Sequence, residues 1–253
     1  MKIKIFIFAF LLSIISVAKD FNHANILLDS ANNAYVKKDY EKAITFYQNI
    51  LKEGFVAPEI YYNIGNSYFK LNQITNAIYF YEKALLLSPN DKDIKYNLEI
   101  AKQYTTDKIK SIEPFFLNKF YHNLITFFSV DQWAMISLVS FISVLILLFL
   151  FLFSKNIIIK KIFFWFSVIL FILSAGSIGF ALSEKKKITT HNTAIIFSPT
   201  VNIKSSPDEQ GTNLMIIHEG IKVIIVDSLQ NWYNIILPDG NEGWLKKDDI
   251  KKI

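Results

Sequence analysis

The sequence predicts a multidomain chain: an all-α solenoid of paired helices, a two-helix transmembrane hairpin and a small all-β barrel. Three observations predict it. Ala31, Ala43 and Tyr47 recur 34 residues later as Gly65, Ala77 and Tyr81, and a fixed period of that length marks helix-turn-helix units that share a core with their neighbours. Two runs, Trp133 to Phe153 and Ile162 to Leu182, carry no charge and are long enough to cross a bilayer core. From Thr190 onward, short β-branched and aromatic runs alternate with turn residues.

Composition narrows the function. The 253 residues leave room for two small domains besides the membrane segments, and 52% are hydrophobic, high for a chain surrounded by water. Cysteine is absent, which removes disulfides, thiolate catalysis and zinc–cysteine sites. The net charge of +5 is spread out, with Lys185-Lys186-Lys187 its densest cluster, so no nucleic-acid partner is expected. No nucleophile–base pair, phosphate loop, paired carboxylate or metal-ligand spacing is visible. The expectation is a non-enzymatic chain with no catalytic residue, no cofactor and no metal. His122, His191 and His218 lack a second ligand or an acid at motif spacing and read as structural.

Residues 1–18 read as a signal peptide. Met1-Lys2-Ile3-Lys4 is positive, Ile5 to Ile15 is apolar, and Ser16-Val17-Ala18 is a small-x-small cleavage site. Residues 24–106 hold the repeats. Ala31, Gly65, Ala43 and Ala77 let helices approach closely, and Tyr47 and Tyr81 fill the gap between paired helices. Pro89 stops one helix, and another from Asp91 to about Tyr104 caps the stack. Helix periodicity places Leu28, Asn32, Tyr35 and Val36 on the inner face of the first repeat, with Tyr62, Asn66, Phe69 and Lys70 on that of the second. Asn63 and Asn97 either hydrogen-bond the backbone of an extended peptide or bridge neighbouring repeats. All these positions are candidates for partner binding.

Tyr61-x-x-Ile64-Gly65-x-x-Tyr68, followed by Ala77, Tyr81, Ala84 and Pro89, resembles a tetratricopeptide repeat. The resemblance implies a tetratricopeptide-repeat solenoid that binds proteins or peptides. Members that clamp a terminal carboxylate use asparagines with several basic residues. Asn32 and Asn63 match the asparagines, but Leu28, Asp93 and Asn97 stand where positive charge is needed, so no such clamp is expected.

Residues 107–131 read as an amphipathic interfacial linker. Phe116, Leu117, Phe120, Tyr121, Leu124, Phe127 and Phe128 gather on one side of a helix, opposite Asn118, His122 and Ser129. That stripe suits the headgroup boundary or packs on the last repeat helix. Transmembrane helices are expected over 132–154 and 162–182, the first opened by a Ser129-Val130-Asp131-Gln132 capping box. Lys155, Lys160 and Lys161 occupy the turn between them, and Ala175 and Gly179 supply a small-x-x-x-small edge for close helix contact. Neither span holds an ionisable group, which argues against transport. Two crossings return the tail to the side of the repeats.

Residues 190–253 read as five or six short strands. Val201-x-Ile203-x-Ser205-x-Pro207, His218-Glu219-Gly220, Trp232-Tyr233 and Gly243-Trp244-Leu245 resemble a bacterial SH3 domain, an SH3-like barrel. In that family a groove binds cell-wall peptides or proteins, which implies Trp232 and Tyr233 as groove residues; Trp232 and Trp244 could equally be core, and core is the favoured reading for Trp244. The order of segments, with Asp93-Ile94-Lys95-Tyr96-Asn97-Leu98-Glu99 and Asp131-Gln132-Trp133-Ala134, is similar to the BatE family of the Bacteroides aerotolerance operon. The resemblance implies a cell-envelope scaffold linked to stress or oxygen tolerance. Its implied partners are membrane proteins with von Willebrand A domains and other Bat proteins. The implied location is the inner membrane, with both exported domains on the periplasmic side. Peptidoglycan bound by the SH3-like domain is the alternative.

Overall fold

The computed structural model describes residues 23–112, 115–190 and 192–253, so the expected signal peptide and His191 lie outside the described residues. The chain divides into two compact units. One joins the described residues up to Leu87 with Asp91–Ser111 and Asn192–Ile253, and the other comprises Ser88–Asn90 and residues 112–191.

The first unit opens with α1 (23–36), α2 (Tyr40–Lys52), α3 (Pro58–Lys70), α4 (Ile74–Leu87) and α5 (Lys92–Lys102). Both helix pairs turn through a left-handed residue at the same point of the period, Lys38 at φ 64° and Asn72 at φ 58°. Asp39 caps α2 by accepting from the Lys42 amide, and Asp91 caps α5 by accepting from the Asp93 and Ile94 amides. Pro58 starts α3, where its missing N–H leaves nothing unsatisfied. Tyr47 and Tyr81 are buried between paired helices, beside Ala43 and Ala77. A Cβ on Gly65 would stand 2.6 Å from the Tyr81 ring, so the ring fills the space that any side chain there would need.

The C-terminal strands are β1 (Thr193–Ile196), β2 (Thr200–Lys204), β3 (Asn213–His218), β4 (Lys222–Leu229), β5 (Trp232–Ile236), β6 (Glu242–Lys246) and β7 (Ile250–Lys252). The expected barrel of five or six strands is corrected here. Seven strands form one antiparallel sheet in the order β3-β2-β6-β5-β4-β1-β7, open between β3 and β7. Val201, Ile203, Val223, Ile235 and Leu245 fill its inner face, as the alternation along β2 and β4 requires. The β1–β7 side packs against α4. Ile195 and Ile253 belong to the same buried cluster as Ile78, Tyr81 and Leu98. The Tyr79 hydroxyl donates to the Lys252 carbonyl at 3.1 Å.

Polar contacts close this junction. Glu82 is buried on α4, and its carboxylate accepts from Lys222 of β4 at 2.7 Å and lies 3.6 Å from Lys102 of α5. Thr75 donates to Glu219 at 2.6 Å, and Asp107 accepts from the His218 amide at 2.6 Å while facing its ring at 3.1 Å. His218 therefore has an acid partner, which the motif-spacing argument missed because the two are far apart in sequence.

The second unit holds α6 (Phe116–Ile125), α7 (Val130–Phe153) and α8 (Ile157–Thr190). The capping box forms: the Ser129 hydroxyl accepts from the Gln132 amide, and the Gln132 side chain accepts from the Ser129 amide. Helices α7 and α8 are long and apolar enough to cross a membrane. Three expectations change. Helix α8 begins at Ile157, so Lys160 and Lys161 lie in its first turns rather than in the connection. Helix α6 ends at Ile125, leaving Phe127 and Phe128 in the turn that follows. Ala175 and Gly179 are exposed, with nothing within 4 Å of a Cβ built on Gly179. The close contact instead runs through serines, because Ser137 and Ser174 each donate to the other's carbonyl at 3.1 Å.

Removing either side of the junction ion pair should differ in cost. Lys222→Met leaves a buried carboxylate facing only a more distant lysine and should destabilise the chain by about 1–3 kcal/mol, whereas Glu82→Gln leaves two half-exposed lysines that water can solvate and should cost less. Thermal unfolding of both variants in detergent checks the order.

Candidate protein-binding face

Nearly all the sequence-selected repeat residues lie on α1, α3 and α5, and their side chains form two equivalent polar groups. In the first, the Tyr47 hydroxyl donates to Asn32 Oδ1 at 2.6 Å. In the second, the Tyr81 hydroxyl donates to Asn66 Oδ1 at 2.7 Å. Asn97 then donates to that Asn66 oxygen at 3.2 Å and to the Tyr62 hydroxyl at 2.6 Å. Asn32 and Asn66 occupy one position of the period, Asn63 and Asn97 another. Asn97 thus bridges neighbouring repeats.

The remaining candidates differ in what they offer a partner. Leu28 and Tyr35 are half-buried against the first-repeat core, and the Tyr35 ring meets Tyr40 edge-on at 5.3 Å. Phe69 packs edge-on against Tyr104 at 5.6 Å, a neighbour that the repeat pattern does not predict. Val36 is 78% exposed, and Lys70 is exposed at the end of α3. The face thus consists of a hydrogen-bonded Asn–Tyr ladder flanked by freely exposed groups. Asn97 and the oxygens of Asn32 and Asn66 are already hydrogen-bonded, while aromatic edges, Val36 and Lys70 stand open to a partner.

Burial governs the acidity of the tyrosines. Removal from water raises the Tyr81 hydroxyl far above the ordinary phenol value, with Tyr62 and Tyr35 adding to it. Burial likewise raises Tyr35, Tyr47 and Tyr68, while the Asn63 side chain partly offsets the effect at Tyr47.

On the sheet, the two tryptophans differ in burial. Trp232 is buried, with Lys246 over its ring, whereas Trp244 is only half-buried. Tyr233 is half-buried between two ammonium groups, Lys247 at 4.9 Å and Lys252 at 4.7 Å from its ring centre. A cavity of about 710 Å³ opens between the end of α5, residues 105–111 and strands β1, β4 and β5. Its charged lining is largely engaged already: Lys222 by Glu82, Lys102 by Glu99, Asp107 by His218, and Lys108 by three carbonyls at the end of α5.

A family model of the tetratricopeptide repeat matches residues 58–91, which are α3, α4 and the chain up to the α5 cap. Comparison with curated proteins finds no match. The chain therefore contains a tetratricopeptide repeat, in a family that typically binds proteins and does not catalyse reactions.

Alkaline pH should loosen this face. The folded state holds the Tyr81 proton more tightly than an unfolded chain, whose phenols titrate near about 10. The stability that Tyr81 contributes is complete below that pH and is lost as pH rises through the higher folded-state value. Circular dichroism between pH 8 and 12 (roughly the range bracketing phenol titration) should show stability falling, with a shallower fall in Tyr81→Phe.

Proposed function

We propose that this chain is a membrane-anchored, non-enzymatic scaffold that holds partner proteins on the face made by α1, α3 and α5. The observation that carries the proposal is the division of labour on the repeats: the sheet docks on α4, and the face with Tyr62, Asn63, Asn66 and Asn97 remains uncovered by it. A tetratricopeptide repeat whose other side is occupied keeps its inner face for a ligand. The Asn–Tyr ladder pre-organises that face, which lowers the ordering cost of binding.

Segment order supports the finer reading, a place in a Bat-type envelope complex beside membrane proteins with von Willebrand A domains. In it, the two apolar helices anchor the chain in the inner membrane and the repeats and sheet lie on its periplasmic side. The SH3-like assignment of the strands rests on the motifs around Val201, His218, Trp232 and Gly243. Binding of murein peptide through that domain is the weaker alternative, because burial of Trp232 leaves Tyr233 as the accessible half of the expected aromatic pair.

Crosslinking in cells followed by affinity capture from solubilised membranes tests this proposal. A small, reproducible set of membrane proteins should accompany the wild type. Val36→Asp with Lys70→Glu alters two exposed side chains and should cut capture at least about tenfold, the effect of losing about 1.4 kcal/mol. Unchanged capture with an intact fold would remove the assignment of this face.

A further inference from the structure

The second unit carries a surface that the scaffold reading does not use. Helix α6 is ten residues long, and Phe116, Leu117, Phe120 and Tyr121 on it are 66%, 55%, 66% and 55% exposed. Leu124 and, just beyond the helix, Phe127 extend the patch. So many large apolar side chains do not stay in water on one short helix without a function. Within their own unit these side chains have no covering partner, since each remains exposed there.

The C-terminal end of α6, by contrast, is fixed. Ile125 and Thr126 are buried, the Trp133 indole donates to the Ile125 carbonyl at 2.8 Å, and Asn90 donates to the Thr126 carbonyl at 2.6 Å. Trp133 lies in the first turn of α7 and packs against Phe180 of α8, the ring centres 4.9 Å apart and the planes tilted by 57°. These contacts set the level of α6 along the hairpin. It leaves α7 at the height of Phe180, and the charged residues Glu184, Lys185 and Lys186 follow Phe180 within about 6–9 Å along α8 at 1.5 Å per residue. That is the depth at which an apolar span gives way to headgroups, and where aromatic side chains are most stable. Large apolar side chains are exposed on the adjoining helix as well, Met135, Leu138, Val139 and Ile142 of α7.

We infer that α6 is an interfacial anchor, lying in the lipid headgroup–acyl boundary with Phe116, Phe120 and Tyr121 inserted toward the acyl chains. The occupant of this surface is the bilayer itself, chosen because the end of α6 is fixed to a hairpin whose own apolar residues are exposed and long enough to cross a membrane. The inference rests on the reading that α7 and α8 span the membrane. A ten-residue helix held to the hairpin at one end gains no independent affinity from length. Its contribution is to fix the angle at which the chain leaves the membrane.

The absence of cysteine permits a direct test. Single cysteines replacing Phe116, Phe120, Asn118 and Leu148 are spin-labelled in the full-length protein in phosphatidylethanolamine–phosphatidylglycerol nanodiscs. Collision rates with oxygen, which concentrates in lipid, and with a water-soluble nickel chelate then report depth. At 116 and 120 the oxygen rate should exceed the nickel rate at least threefold, with the ratio reversed at 118 and highest at 148. Nickel access at 120 equal to that at 118, with 148 still lipid-exposed, overturns the anchor while leaving the spanning helices standing. Exclusion of both reagents at 116 and 120 overturns it in favour of protein contact. Water access at 148 removes the spanning reading and the anchor with it.

Discussion

The burial of Ile195 and Ile253 in the core of the repeats is the constraint on which the rest of the first unit depends. Two repeats and a capping helix are close to the minimum that a solenoid needs, because each helix pair can bury only part of its apolar surface by itself. Here the missing neighbour is supplied by the sheet. Strand β1 and the last residue of the chain cover Ile78, Tyr81 and Leu98 as a further repeat would. In return the sheet obtains cover for its β1–β7 side, which an open antiparallel sheet otherwise exposes. Each part is thereby made less marginal by the other.

Glu82 shows how specific this arrangement is. A carboxylate buried on a helix is costly unless paired, and its partners come from α5 and from a strand 140 residues away. Asp107 plays a related part, holding His218 from the segment that follows α5. These contacts contribute less through net energy than through selectivity, because only one docking pose satisfies them all. The sheet reaches the repeats through α4 and α5, while the asparagines of the Asn–Tyr ladder lie on α1, α3 and α5.

How much of this is legible in the sequence follows from the range of the interactions. The period of Ala31, Ala43 and Tyr47 encodes contacts between close neighbours along the chain, and the helices form where it places them. Uncharged runs and the capping box at Ser129 mark α7 as directly. The face residues were identifiable from helix periodicity, but not their engagement with Tyr47 and Tyr81, because a phenol that fills a gap and one that also donates to an asparagine look alike in sequence. The junction was invisible for another reason. Glu82 with Lys222, Tyr79 with Lys252 and Asp107 with His218 are joined across the whole hairpin, and no local pattern reports such pairings. The packing of the β1–β7 side on α4 is illegible for the same cause, since that helix lies far upstream. Ala175 and Gly179 show the limit of a spacing motif: the residues permit close approach, and the hairpin uses Ser137 and Ser174 instead.

If the repeats and the sheet are one body, and α7 and α8 both cross the membrane between them, the two must lie on the same side. The chain has no native cysteine, so single cysteines at Lys52 on the repeats, Gln210 on the sheet and Lys155 between the spanning helices can be probed in intact spheroplasts with a membrane-impermeant maleimide. The account predicts labelling at 52 and 210 alike, with 155 labelled only after the membrane is opened. Labelling of 52 and 210 from opposite sides would contradict it, because the buried contacts of Ile195, Ile253 and Glu82 could not then exist in the cell.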